Sequence, residues 1–389
     1  MDTVARINAK DQMTKRERVM AALEFRETDR VPVWDILQSL EMIEYFSGRK
    51  LKAPRFRDEN LTIAGAAIAN CFDIYRCIWV PEEPHVERRD DGFVIRHDSY
   101  TGWIEKRPFG NQKELAEWVK RSTSEVWMWR PNEQWGPWGK LVFTGSYRER
   151  FLERKKLIGD TVLIHDESAV GLDTAMDIVG LQNFIELYDE QPALVSEWLE
   201  ALCEHEVRRI RDTADPELSP VALPYCDLAY KGGLIFSPRF LRKEFFPRLK
   251  RICDAWHSFG IKCIFHSDGN FMEVMDDFIA SGIDGIQSIE PLAGWDLIDV
   301  RRKHPALVLV GNIDSSQLLP FGTVEEVKRA VKKAIDDVYP TGGYILSSST
   351  ELLPVTKGEN GIVMNLFAKE YSRIRPFRPR GIDEIEIRL

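Results

Sequence analysis

Short apolar runs alternate through the second half of the chain with segments in which apolar residues return every three or four positions. The runs at 161–165, 221–226, 261–265, 283–289, 306–310 and 343–346 read as buried strands. Between them lie helical patterns. Ser237 and Pro238 supply an N-cap and a proline at the first helical position. Leu241, Phe245, Leu249, Ile252, Trp256 and Phe259 then recur at helical spacing, with a kink predicted at Pro247 and a stop at Gly260. A helix over 271–280 leads through Gly282 to the next strand, and Thr323 with Glu326 forms a capping box opening a helix to about Val338. Strands alternating with helices at this spacing give parallel βαβ units, and right-handed crossovers place every strand's C-terminal end on one face. The predicted fold is α/β, a single (β/α)8 TIM barrel. An open doubly wound sheet is the alternative; the number of units and the polar residues at successive strand ends favour the barrel.

The first half is less regular. Residues 1–12 read as a flexible tail and 13–389 as the barrel domain. Thr14 and Glu17 form a capping box, the helix behind it carries Val19, Ala22 and Leu23 on one face to near Phe25, and a turn at 29–30 enters a strand. From about 85 to 140 the texture becomes that of an aromatic-rich insertion. A hairpin pairing 93–96 with 103–106 is predicted, and six of the eleven tryptophans fall between 103 and 138. The stretch from Trp127 through Trp129 to Trp138, broken by Pro and Gly, is too irregular for a barrel element. It is expected to pack over one end of the protein, its aromatics filling a loop or forming a lid over a flat ligand.

A 44% apolar fraction spread along 389 residues supports one sizeable core. The formal net charge of −9 argues against nucleic acid as the main partner, since phosphate binding needs a clustered basic surface. The N-terminus is polar and no apolar run approaches the ~20 residues that cross a bilayer, so no membrane contact and a cytoplasmic location are expected. Cysteines 71, 77, 203, 226, 253 and 263 stand singly and read as buried thiols.

In a parallel barrel the working residues sit where strands become loops. The strand ends here offer His165-Asp166-Glu167, Tyr225-Cys226-Asp227, His266-Ser267-Asp268-Gly269, Glu290, Asp314 and Ser349-Thr350-Glu351. His266 and Asp268 lie two apart in an extended segment, so both side chains face one way; that suits two metal ligands, or a base with its orienting carboxylate. Glu290 is a third ligand or a helix cap, and Asp314 a cap or a ligand-orienting group. Asp227 and Tyr230 are candidate substrate contacts or turn residues. His165 and Glu167 share a face that points into the site or stays structural.

The segments 13–33, 237–238, HSDGN at 266–270, VGNIDSSQLL at 310–319 and 342–360 together resemble the uroporphyrinogen decarboxylase superfamily, over essentially 13–375. The resemblance implies a single (β/α)8 barrel and either decarboxylase or corrinoid-linked methyltransferase chemistry. True decarboxylases carry Arg-Gln-Ala-Gly-Arg-Tyr after the first strand, where this chain has Asp35-Ile36-Leu37-Gln38-Ser39-Leu40. A substrate with many carboxylates needs those guanidinium groups, so uroporphyrinogen is an unsuitable substrate. Thiol methyltransferases of the superfamily bind zinc through His-x-Cys-Gly and a distant Cys; here Asp268 replaces the first Cys, and Thr350 lies near the position of the second. The implied site is oxygen-rich, a divalent metal such as zinc on His266, Asp268 and Glu290 or Glu351. Asp-x-His-x-x-Gly is absent, so a corrinoid would arrive on a partner protein, with a small-molecule methyl donor or acceptor. A homodimer is compatible with the sequence. Two competing readings remain. One is a metal-free lyase using Asp73 or His165 for proton transfer, with Arg76 or Lys231 holding a carboxylate; the other is a non-catalytic ligand-binding barrel.

Overall fold

Eight parallel strands follow one another around a barrel in a computed structural model that describes residues 2–128 and 130–375. They are β1 (Trp34–Asp35), β2 (Ile74–Tyr75), β3 (Val162–Leu163, resuming as Glu167–Ala169), β4 (Val221–Tyr225), β5 (Lys262–His266), β6 (Gly285–Gln287), β7 (Val308–Ile313) and β8 (Tyr344–Ser348). Each pairs in parallel with the next. A parallel bridge between Val33 and Leu346 joins the first strand to the last, so the sheet closes.

The strands are short and their inward side chains fill the barrel. Trp34, Ile74, Val162, Ile164, Val221, Leu223, Ile264, Val308, Val310 and Ile345 form one buried cluster, with a contribution from every strand but β6. There Gly285 leaves the space that its neighbours occupy: a Cβ would stand 2.6 Å from both Ile264 Cδ1 and the Val308 carbonyl oxygen. A larger cluster packs the outer faces of the strands against the helices.

Two features of the sequence reading are corrected. The tail is ordered: Asp2–Asn8 is a helix whose Val4 and Ile7 are buried, and Asp11 pairs with Arg18, Arg30 and Arg373. A stretch of this composition docks because its few apolar residues recur at helical spacing and its acid meets three guanidinium groups. The helix expected to kink at Pro247 is two helices, Pro238–Glu244 and Phe246–His257, because a proline ring cannot continue the hydrogen-bond ladder and starts the second one instead.

The insertion is more regular than its sequence suggests. It holds the predicted hairpin (Ile95 opposite Ile104, extended by His85–Arg88), then a helix at Gln112–Trp127 and a second hairpin, Glu133–Gly136 with Gly139–Val142. It runs along the outer helix Pro192–Thr213, and its Arg107 reaches the backbone of Asp177 and Ile178 beyond β3. Trp118 packs edge-on against Trp198 of that helix at 5.8 Å and against Phe93. Phe93, Trp118 and Trp135 thereby extend the outer core of the helical shell, while Trp103 and Trp127 stay exposed. Trp129 and residues 376–389 of the expected barrel domain lie outside the described residues.

Candidate functional site

The C-terminal strand ends bring Asp227, His266 and Asp268 together. One donor atom from each lies within 4.8 Å of the others. His266 Nε2 stands 3.8 Å from Asp227 Oδ1 and 4.0 Å from Asp268 Oδ1. The other ring nitrogen, Nδ1, meets Gln287 Oε1 on the neighbouring strand β6, and the Gln287 amide nitrogen donates to the Thr350 carbonyl at 3.4 Å. That orientation makes Nδ1 the protonated nitrogen and leaves the Nε2 lone pair facing the two carboxylates.

Backbone geometry fixes the turn after β5. Gly269 has φ of 81°, and a Cβ there would lie 2.6 Å from the Tyr230 nitrogen, so the turn admits only glycine. Its N–H donates to Glu290 Oε2 at 3.0 Å, and its carbonyl accepts the Trp295 indole N–H at 2.8 Å. Asp268 Oδ1 accepts the Ser288 hydroxyl at 2.6 Å, while the Asp268 N–H donates to Asp227 Oδ1 at 3.1 Å. Ser288 adopts a left-handed φ of 74°, a strained backbone held at the point where its hydroxyl orients a site carboxylate.

Around this trio the mouth is acidic. Glu351 is pushed up by burial, against the pull of Arg76 and His266. Glu290 is pushed up by burial and by Asp268. Asp35 ends β1 fully buried, accepts from the Ser348 N–H at 2.7 Å and hydroxyl at 2.9 Å, and burial raises it to about 7. Arg76, after β2, forms an ion pair with Glu167 at 2.7 Å.

The remaining predicted residues fall elsewhere. His165 is buried at the opposite end. Its N–H donates to the carbonyl of Val221, the first residue of β4, and its Nε2 accepts the Asp215 N–H at 2.9 Å. Its ring stacks on Tyr147 and packs 4.9 Å from Trp256, and burial lowers it to about 4. The shared face expected of His165 and Glu167 fails because the strand is interrupted between Leu163 and Glu167. Val162 and Ile164 point into the barrel, yet Glu167 faces the mouth and Ser168 bonds Trp256 in the helix layer, so one extra residue has shifted the alternation. Asp314 caps the following loop, accepting from the N–H groups of Ser316, Gln317 and Leu318, so its oxygens are occupied. Tyr230 stands exposed on a small hairpin with its ring over Gly232. Asp73 lies at the N-terminal end of β2, bound by Arg18 at 2.6 Å and Arg30 at 2.7 Å, which hold it far below the usual carboxylate range against its own burial. Neither proton donor of the lyase reading therefore reaches the mouth.

Sequence reasoning missed Gln287, Ser288 and Asp35. All three stand at or beside a strand end, and that position was the signal available.

A family model described as uroporphyrinogen decarboxylase (URO-D) matches residues 157–371, more than half of the chain. No curated protein matches it significantly. Among solved structures, a methyltransferase from Methanosarcina mazei is similar over 92% of this chain and 99% of its own, with a TM-score of 0.63 and 16% sequence identity. At that identity the likeness is one of fold. The family match spans the strand ends that carry Glu167, Asp227, His266, Asp268 and Glu351, and the chain belongs to the uroporphyrinogen decarboxylase family.

Proposed function

We propose that this chain is a methyltransferase that moves a methyl group between a small molecule and a corrinoid protein, with a divalent ion held by Asp227, His266 and Asp268. The observation that carries the reading is the convergence of these three donors, with the imidazole tautomer fixed by Gln287. One nitrogen and two carboxylates within 4.8 Å suit a zinc-like ion and leave a coordination position free. Asp227 takes the place that the sequence reading gave to Glu290, because its donor atom lies within 4.8 Å of those of His266 and Asp268. Such an ion, when bound, supplies Lewis acidity to the atom that gives up or accepts the methyl group. The chain's own groups do the rest. Ser288 and the Asp268 N–H orient the two carboxylates, and Glu290 and Glu351, both raised by burial, stand beside them as groups able to exchange a proton with a leaving group.

A macromolecular partner is supported by the rim. Tyr230, Ile235, Met272, Leu292, Phe321 and Val355 stand exposed on five successive strand-to-helix loops around the mouth. Apolar side chains gathered around a site in this way suit a docked protein. The fold similarity to a methyltransferase is consistent with this reading, and the surplus of carboxylates weighs against a lyase that must hold a carboxylic acid.

Elemental mass spectrometry of the purified protein beside His266→Ala tests the proposal. About one divalent ion per chain, lost in the variant, is expected. No metal in either protein after reconstitution overturns the metal-assisted mechanism.

A further inference from the structure

Carboxylates outnumber cations at the mouth. Asp173, Asp177, Asp227, Asp268, Glu290 and Glu351 stand there with Arg76 and Lys231, and Arg76 is already tied to Glu167. Acidic clusters are common; Asp173 sets this one apart. It lies in the first turn of the helix Leu172–Val179, just beyond β3, is 5% exposed, and no side chain bonds either carboxyl oxygen, whose nearest donors are the backbone N–H groups of Thr174 and of Asp173 itself. The charges nearest to it are those of Asp177, one turn further on, and Asp227, both at the surface. Burying a carboxyl with no cation or side-chain donor to offset it costs free energy, and two like charges beside it add to that cost. The guanidinium nearest Asp177, that of Arg107, donates instead to the carbonyls of Ile178 and Asp177. Among the described residues no side chain offsets Asp173.

A ligand bringing its own positive charge would offset it. Asp173 and Asp177 fall outside the donor group formed by Asp227, His266 and Asp268, so they offer charge without a coordination geometry. That combination suits a diffuse organic cation better than a second metal ion. Tyr225, which ends β4 close to Asp173, adds an aromatic ring beside the same carboxylates. We propose that the mouth binds a small molecule with an ammonium head, quaternary or protonated, seated against Asp173 and Asp177. This rests on the mouth being the substrate site, and it stands independently of methyl transfer.

Isothermal titration of the full-length protein, with no corrinoid and no turnover, compares choline with 3,3-dimethylbutan-1-ol, which has the same shape without the charge. Choline is expected to bind at least about tenfold more tightly, and Asp173→Asn to weaken it about tenfold. The same variant should melt no lower than the wild type, because it removes a buried carboxyl that no side chain offsets. Asp177→Asn, at a more accessible position, repeats the binding test should Asp173→Asn fail to fold. Equal binding of the two compounds, or no binding of choline at high millimolar concentration, overturns the proposal. Methyl transfer to a corrinoid protein is assayed separately, so either reading can fail without the other.

Discussion

The two ends of this barrel treat buried charge in opposite ways. At the N-terminal end Asp73 is enclosed by Arg18 and Arg30 and also accepts the Val33 N–H at 2.9 Å. Arg18 goes on to Asp29, and Arg30 to Asp11. Every carboxylate of that cluster has a guanidinium partner. At the C-terminal end Asp173 has no side-chain partner, and Asp35, Glu290 and Glu351 are all raised by burial. The first arrangement ties the capping-box helix and the N-terminal segment to the start of β2. The second keeps potential for binding at the expense of stability, as sites do.

The sharpest way to break this comparison is to remove the central acid at the paired end. Asp73→Asn leaves two buried guanidinium groups short of a counter-charge and should destabilise the fold by about 3–5 kcal/mol in urea denaturation at neutral pH. Asp173→Asn should cost nothing by the same measurement. Equal losses from the two would erase the distinction between a structural end and a working end.

Acid should act next most strongly, and again at the closed end. The His165 ring is buried and neutral, with a value near 4 where an unfolded chain has about 6.5. Between those values the unfolded chain takes up the proton first. The stability His165 contributes is therefore present above about pH 6.5 and is lost as the pH falls towards 4, about 3 kcal/mol in all. Urea midpoints at pH 7 and pH 4.5 should lie further apart in the wild type than in His165→Gln. His205, lowered to about 4 by burial, adds a background of the same sign to both proteins.

What the sequence made legible follows from the same division. The strand–helix alternation from 161 onward, the capping boxes at Thr14 and Thr323, and the hairpin at 94–106 are local patterns, and each appears in the structure. The turn at 266–269 was equally legible, because a histidine, an acid and a glycine directly after an apolar strand leave few structural uses. Parity of side chains along β3 was not, because one residue inserted between Leu163 and Glu167 reverses it and no local residue announces the break. Asp227 could not be ranked above Glu290 as a partner of His266, since that choice depends on which strand end curls towards β5. Nor could Asp173 be singled out. An acid in a first helical turn reads as a favourable dipole contact, and only the packed structure removes its water without supplying a side-chain partner.

The smallest expected effect sharpens the comparison most, because it separates the geometry of the working end from its charge. Gln287 carries no charge and lies behind His266, bonding Nδ1 on one side and the Thr350 carbonyl on the other. Its replacement by Leu keeps the bulk but frees the ring to rotate and to change tautomer, so the Nε2 lone pair is no longer held towards Asp227 and Asp268. Zinc affinity, measured by competition with a chromogenic chelator, should fall about 10–100-fold, and the melting temperature should move little. Loss of affinity without loss of stability would identify Gln287 as a positioning residue for a metal-binding histidine. Unchanged affinity would mean that the carboxylates alone hold the ion, and His266 would then be left as an acid–base group with no role in coordination.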